Sequence, residues 1–345
     1  MKCYLKLVTF IITVIIMINN TIQAQNQNNL PLIKIIATGG TIANSPDGRL
    51  SVDSVLTQIP EVSNIAKIEI HDYIRIGSSE ISIQNWIDIA KLITQELNNN
   101  QDISGIVVTH GSNTSEETAY FLNLVLNTSK PVVLVGAQRQ RMTLSEDGSR
   151  NLFDAVRVAA HPEASGRGVM LVVGEMIHPA RDVTKTMSYR TETWNSGDLG
   201  VLGFTDTDLI RFYRKPENIH TTNSEFHLDN INNANQLPRV DIIYAYADAG
   251  PELVNSAIAA GAKGIVVAGF PTGGTPPIVT DALLALQEKG VPIVMGHRGG
   301  KGRIQTNREF ISADNLTPQK ARILLMLALA QNKPMNELEK IFMTY

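Results

Sequence analysis

Two clusters of hydroxyls set beside glycine stand out in the 345-residue sequence. Thr38-Gly39-Gly40-Thr41 follows the apolar run 32–37, and Thr109-His110-Gly111-Ser112-Asn113-Thr114 follows the apolar run 105–108. Glycine lets a backbone approach a ligand closely and present its N–H groups. A hydroxyl in such a place becomes a nucleophile once a base or a lysine takes its proton. Lys185, in Arg181-Asp182-Val183-Thr184-Lys185-Thr186, follows another strand exit and can reach the same rim. Each cluster alone reads more readily as an ordinary strand-to-helix turn, where Gly, Ser and Thr are common. Two of them in one sheet favour a site. His110 beside Gly111 reads as a packed loop residue rather than a base.

Other chemistries find no support. HExxH, G-x-S-x-G, Walker A and G-x-G-x-x-G patterns do not occur. Gly299-Gly300-Lys301-Gly302-Arg303 lacks the P-loop spacing and its trailing hydroxyl, and reads as a mobile loop. The seven histidines are scattered without ligand spacing, so neither a metal nor another cofactor is expected.

The elements that must position these residues repeat one theme. Near-continuous Val/Ile runs at 32–37, 105–108, 131–135 and 168–173 each end in small or polar residues, as strands buried on both faces of a parallel sheet do. Segments 86–97 and 116–126 carry apolar residues at helical spacing, and Thr114-Ser115-Glu116-Glu117 fits a capping box. Strands alternating with helices give an α/β fold. A polar, strandless stretch at 214–237 reads as a linker between a catalytic unit at 30–213 and a smaller α/β unit at 238–345. A last apolar helix is expected from about residue 317 to 330, with Pro318 in its first turn.

Composition fits a globular protein of two domains, at 43% hydrophobic and 18% charged. A formal net charge of −3 offers no footprint for nucleic acid. Residues 1–24 read as a secretory signal peptide, with Lys2 and Lys6 before an uncharged apolar run and Ile22-Gln23-Ala24 before the expected cleavage. Without them the chain has 28 basic and 33 acidic residues, a net charge of −5. The one cysteine, Cys3, leaves with the signal, which excludes a disulfide scaffold and a cysteine nucleophile. An exported protein with no stable membrane association is expected.

Taken together, Ala37-Thr38-Gly39-Gly40-Thr41-Ile42-Ala43 and the run from Val107 through Thr109-His110-Gly111-Ser112-Asn113-Thr114 to Leu122 resemble the bacterial exported L-asparaginases and glutaminase-asparaginases. Val135-Gly136-Ala137-Gln138-Arg139, the segment 181–186 and Leu316-Thr317-Pro318-Gln319-Lys320-Ala321-Arg322 resemble the same family in the same order. The resemblance implies a larger N-terminal flavodoxin-like domain, a smaller C-terminal α/β domain, and a homotetramer built from intimate dimers. It implies that Thr41 attacks a side-chain amide, giving an acyl-enzyme that water hydrolyses, with Ser112, Lys185 and position 113 in support. Ser78 stands where the family grips the substrate carboxylate, and Ala137 where a carbonyl receives the amide nitrogen. Gly40, Ser79, Gly111, Ser112 and Asn113 complete the implied substrate site.

Four departures bear on substrate choice. Asn113 replaces the family's aspartate, and Ser79 replaces a glutamine. The partner subunit's ammonium-binding glutamate has no clear counterpart, with Glu309 a stand-in on charge alone. The lid is cut to about residues 44–50, without the family's tyrosine and with Arg49 nearby. Glu80 is a candidate to restore the missing negative charge. The expected activity is hydrolysis of L-asparagine to L-aspartate and ammonia. The alternatives are a related amidohydrolase for L-glutamine or for an amide without a free α-amino group, and a weakened amino-acid-binding homologue. Retention of Thr41, Ser112 and Lys185 argues against the last, because a binder needs no nucleophile.

Overall fold

The computed structural model describes residues 30–306 and 309–345. The expected signal peptide lies outside them. Sixteen strands are described: β1 Leu32–Gly39, β2 Asn44–Ser45, β3 Gly48–Arg49, β4 Lys67–Ile76, β5 Ile103–Thr109, β6 Val132–Val135, β7 Val169–Val173, β8 Met176–Pro179, β9 Thr184–Lys185, β10 Trp194–Asn195, β11 Gly203–Thr205, β12 Ile210–Phe212, β13 Val240–Tyr244, β14 Gly264–Gly269, β15 Ile293–His297 and β16 Ile311–Ser312. The α-helices are α1 Val52–Leu56, α2 Ile83–Asn99, α3 Ser115–Val125, α4 Gly148–Ala160, α5 Glu252–Ala259, α6 Pro277–Gln287, α7 Pro318–Ala330 and α8 Met335–Thr344.

Eight strands form one sheet in the order β12-β11-β8-β7-β6-β5-β1-β4. From β4 to β7 all pairings are parallel, which is the 2-1-3-4-5 order of a flavodoxin-like sheet. The strands are apolar throughout because both faces are covered. Ile36, Val108, Leu134 and Leu171 pack under α2 and α3, while Ile35, Val107, Val133 and Met170 pack under α4. The helix predicted at 86–97 starts earlier, at Ile83. Ser82 and Asn85 cap each other, Ser82 Oγ accepting from the Asn85 N–H at 3.3 Å and Asn85 Oδ1 from the Ser82 N–H at 2.8 Å.

Several details differ from the sequence reading. β7 leads into a tight hairpin, where Gly174 and Glu175 both take positive φ, and β8 returns antiparallel instead of opening a helix. β4 is an edge strand whose alternating half-buried pattern the continuous-run criterion passes over. The capping box at Thr114 does not form: its hydroxyl donates to the Ser78 carbonyl at 2.8 Å instead. A further helix, α8, follows α7, its apolar Leu338, Ile341 and Phe342 diluted among polar residues.

The second sheet is parallel and sequential, β13-β14-β15-β16. Helix α7 closes it and reaches back across the larger unit, for Ile323, Leu324 and Leu327 share one apolar cluster with Trp86, Phe121, Val266 and Val294. Residues 214–237 carry no strand, yet they bury Phe226 and Leu237 in that cluster.

Candidate active site

In an open parallel sheet, ligands bind beyond the strand carboxyl ends where the order reverses. Here that point falls between β1 and β5, the strands that end in the two glycine–hydroxyl clusters. The two ends are fastened together. Thr38 Oγ1 donates to the Thr109 carbonyl at 2.6 Å, and the Thr38 N–H donates to Thr109 Oγ1 at 3.3 Å. Beyond them Gly40, with φ +83°, lies so close to Gly111 that an added Cβ would overlap the Gly111 main chain. A Cβ on Gly111 would in turn come within 2.8 Å of the Ser78 side chain. Glycine at these positions is a condition of the exits of β1, β5 and β4 converging.

Ser78 opens the 3-10 turn that follows β4 and is buried. Its Oγ accepts from the Asn113 N–H at 3.1 Å. Lys185 comes from the short β9–β10 hairpin. Its Nζ donates to Ser112 Oγ at 2.8 Å and to Asn113 Oδ1 at 3.0 Å. Desolvation by burial holds the Lys185 amine below the ordinary lysine range. A neutral amine can take a proton from the Ser112 hydroxyl, while the Asn113 oxygen holds the amine without adding charge. Ser112, Asn113, Ser78 and Lys185 are thus one bonded group.

Thr41 begins the 3-10 turn after Gly40 and is half-buried. Its hydroxyl makes no hydrogen bond among the described residues. Ala137 is buried just beyond β6. Asn151 Nδ2 donates to the Gly136 carbonyl at 3.0 Å, and the Gln138 and Arg139 N–H groups donate to the Asp147 carboxylate. These bonds fix the loop on both sides of Ala137.

His110 is fully buried and satisfied by a chain of three bonds. Trp86 Nε1 donates to Thr118 Oγ1 at 2.8 Å, that hydroxyl donates to His110 Nε2 at 2.9 Å, and Nδ1–H donates to the Gly111 carbonyl at 2.8 Å. Burial lowers His110 to about 4, so it stays neutral and packs. Ser79 is exposed. Glu80 does not stand free to replace the missing acid: its Oε1 accepts from the Gly77 N–H at 2.9 Å and faces Arg49 at 3.9 Å. Glu309 is exposed near the end of α6, its main-chain carbonyl accepting from Gln287 Nε2 at 2.8 Å. No group of three or more His, Cys, Asp or Glu residues that could hold a metal occurs among the described residues.

Two arginines hold the short lid: Arg49, which the sequence places beside it, and Arg141, which sequence reasoning missed. Arg49 donates from Nε to Asn44 Oδ1 at 3.1 Å and also to the Arg75 carbonyl. Arg141 is fully buried, bonding Gln58 Oε1 at 2.7 Å and Ser149 Oγ at 3.0 Å, and its N–H donates to the Asn44 carbonyl at 2.8 Å. An isolated arginine in a polar stretch gives no sequence signal of this.

The described residues match two family models, "Asparaginase, N-terminal" over residues 32–218 and "Glutaminase/Asparaginase C-terminal domain" over residues 239–342. The chain is 38% identical over 338 residues to L-asparaginase 2 of Bacillus subtilis (strain 168), covering 94% of this chain and 89% of that protein. It is 38% identical over 337 residues to a probable periplasmic L-asparaginase of Haemophilus influenzae, covering 93% and 95%. Its fold superposes with a TM-score of 0.87 on the crystal structure of a probable cytoplasmic L-asparaginase from Campylobacter jejuni, at 36% identity, covering 91% of this chain and all of that one. With both models matched in order and the glycine–hydroxyl clusters at the switch point of the sheet, the chain belongs to the asparaginase family.

Proposed function

We propose that the protein hydrolyses the side-chain amide of L-asparagine to L-aspartate and ammonia. The observation that carries this reading is the Lys185–Ser112–Asn113 group beside the convergence of Gly40 and Gly111. Thr41 Oγ attacks the amide carbon, and its proton passes through the Ser112 hydroxyl to neutral Lys185. The tetrahedral oxygen takes hydrogen bonds from main-chain N–H groups at the glycine turns. The C–N bond then breaks as the leaving nitrogen receives that proton and departs as ammonia. Water attacks the acyl ester, gives its proton to the same relay and frees Thr41. Ser78 and Ser79 receive the substrate carboxylate, and the Ala137 carbonyl accepts from the amide nitrogen. No cofactor takes part.

A second reading is favoured by Asn113 and by the tied position of Glu80. Without a carboxylate beside the substrate ammonium, L-glutamine and amides lacking a free α-amino group compete better than in a site that holds one. Export through residues 1–24, cleavage near Ala24 and a periplasmic location belong to the proposal, supported by the charge and apolar pattern there. A homotetramer is supported by Met142, Leu144, Met187 and Tyr189, which stand exposed on the loops following Ala137 and Lys185 in a single protomer. The test is ammonia release from L-asparagine, L-glutamine and amides without the α-amino group, with Thr41→Ala as control. Turnover of L-asparagine that vanishes in Thr41→Ala supports the first reading. Turnover only of the α-amino-free amides supports the second.

A further inference from the structure

Lys320 is a deeply buried charged residue that the chemistry above does not use. It stands in the first turn of α7. Its Nζ donates to the Arg181 carbonyl at 2.8 Å and to the Val183 carbonyl. The Tyr120 ring lies 5.9 Å away, and the charges facing the amine are those of Glu116, Glu117, Asp182 and Arg181. Burial lowers the amine to about 8. The neighbouring Gln319 donates from Nε2 to Glu116 Oε1 at 3.1 Å, in the first turn of α3. One turn of α7 therefore holds two segments of the larger unit. The first, 181–183, leads directly into Lys185; the second begins three residues after Ser112. The β9–β10 ladder is two residues long and is continued by bonds from Thr186 and Met187 to Thr193, so the hairpin fixes Lys185 from its C-terminal side and the 181–183 segment from its N-terminal side.

We infer that Lys320 is a positioning residue: it sets Lys185 against Ser112 by carrying the Arg181 and Val183 carbonyls, while Gln319 fixes the α3 side of the same gap. An apolar residue at 320 would leave two main-chain acceptors without a partner in a dry interior, and the segment would move to find water. Lys320 touches neither substrate nor reacting atom and acts through Lys185. The inference rests on the reading of Lys185 as the proton acceptor.

The full chain carrying Lys320→Met, which keeps the stem and removes the donors, is compared with the wild type by two readouts. One is kcat and KM on L-asparagine, per mole of folded protein. The other is the pH at which Lys185 becomes reactive toward a lysine-selective acylating reagent, followed by peptide mass spectrometry and needing no substrate. The expected result is a fall in kcat of about tenfold or more with KM changed less than twofold, and a reactive pH for Lys185 displaced toward that of an ordinary lysine. Wild-type kcat, or lost activity with wild-type Lys185 reactivity, overturns the inference, because a merely structural lysine lowers stability and leaves Lys185 as it was. Should Lys320→Met fail to fold, Gln319→Ala removes a half-buried contact and decides the matter. It is expected to lower kcat about threefold at constant KM, and unchanged kcat with unchanged Lys185 reactivity overturns the inference. If the wild type releases no ammonia from L-asparagine, the functional reading fails, and Lys185 reactivity in the variants still tests the positioning.

Discussion

Lys185 Nζ lies 3.0 Å from Asn113 Oδ1, so the amine that bonds Ser112 rests against a neutral amide. Burial disfavours the ammonium, and among the described residues no carboxylate acts on Lys185. In the proposed mechanism the proton acceptor is the neutral amine, so kcat is expected to rise as pH climbs through the Lys185 pKa. That rise is expected below the pH at which an ordinary lysine deprotonates. In Asn113→Asp the new carboxylate favours the ammonium and raises the pKa, which moves the rise to higher pH. Profiles of kcat against pH for both proteins check this, and coincident profiles would refute it.

The same substitution acts on substrate recognition with the opposite sign. A charge-assisted hydrogen bond is worth about 1.5–3 kcal/mol. Asn113→Asp is therefore expected to lower KM for L-asparagine by about tenfold or more. KM for an amide lacking the α-amino group should stay the same or rise. The ratio of the two KM values measures the ammonium contact apart from the proton chemistry.

Gly40 has φ +83° and no room for a Cβ against Gly111. Gly40→Ala combines left-handed strain with backbone overlap, at a cost of about 2–4 kcal/mol. Because the strand exits must separate to accept the methyl group, activity should fall by more than the folded fraction does. Urea unfolding run beside ammonia release separates the two effects; a fully active Gly40→Ala would contradict the close approach.

Buried histidines make the fold sensitive to acid. Burial lowers His110 to about 4 and His178 to about 3. Below the ordinary histidine pKa the unfolded chain binds protons that the folded chain refuses, so stability falls as pH drops from about 6.5. The loss from His110 is complete near its folded pKa and reaches about 3 kcal/mol. Unfolding free energies for wild type and His110→Gln, compared at pH 7.5 and 4.5, isolate this contribution. An equal loss in both proteins would show that His110 is not its source.

The flavodoxin-like sheet was legible because strands covered on both faces must be apolar throughout, and the convergence at the candidate site was legible because glycine must stand where two strand exits touch. Thr38, Thr41 and Ser112 are small residues at forced positions. Local reasoning fails where a side chain answers a distant group. Thr114 has the sequence of a helix cap, yet a carbonyl 36 residues away claims its hydroxyl. Glu80 has the charge wanted at the substrate ammonium, but the Gly77 N–H and Arg49 hold it. Arg141 and Lys320 are buried although charged, because main-chain and side-chain groups on other elements bond them, which local sequence does not show. β4 escaped for a plainer reason: an edge strand alternates exposed and half-buried residues and leaves no continuous run, while α8 spreads its few apolar residues, Leu338, Ile341 and Phe342, among polar ones.

Helix α7 completes one apolar cluster drawn from both sheets, with Phe121 and Trp86 on one side and Val266 and Val294 on the other. A protease cutting within residues 214–237 would therefore not liberate two independent bodies. The halves would remain clamped through Ile323, Leu324 and Leu327, and a nicked molecule would still migrate and melt as one particle. The shared helix would act as a rivet that lets the protein outlast damage to its own backbone.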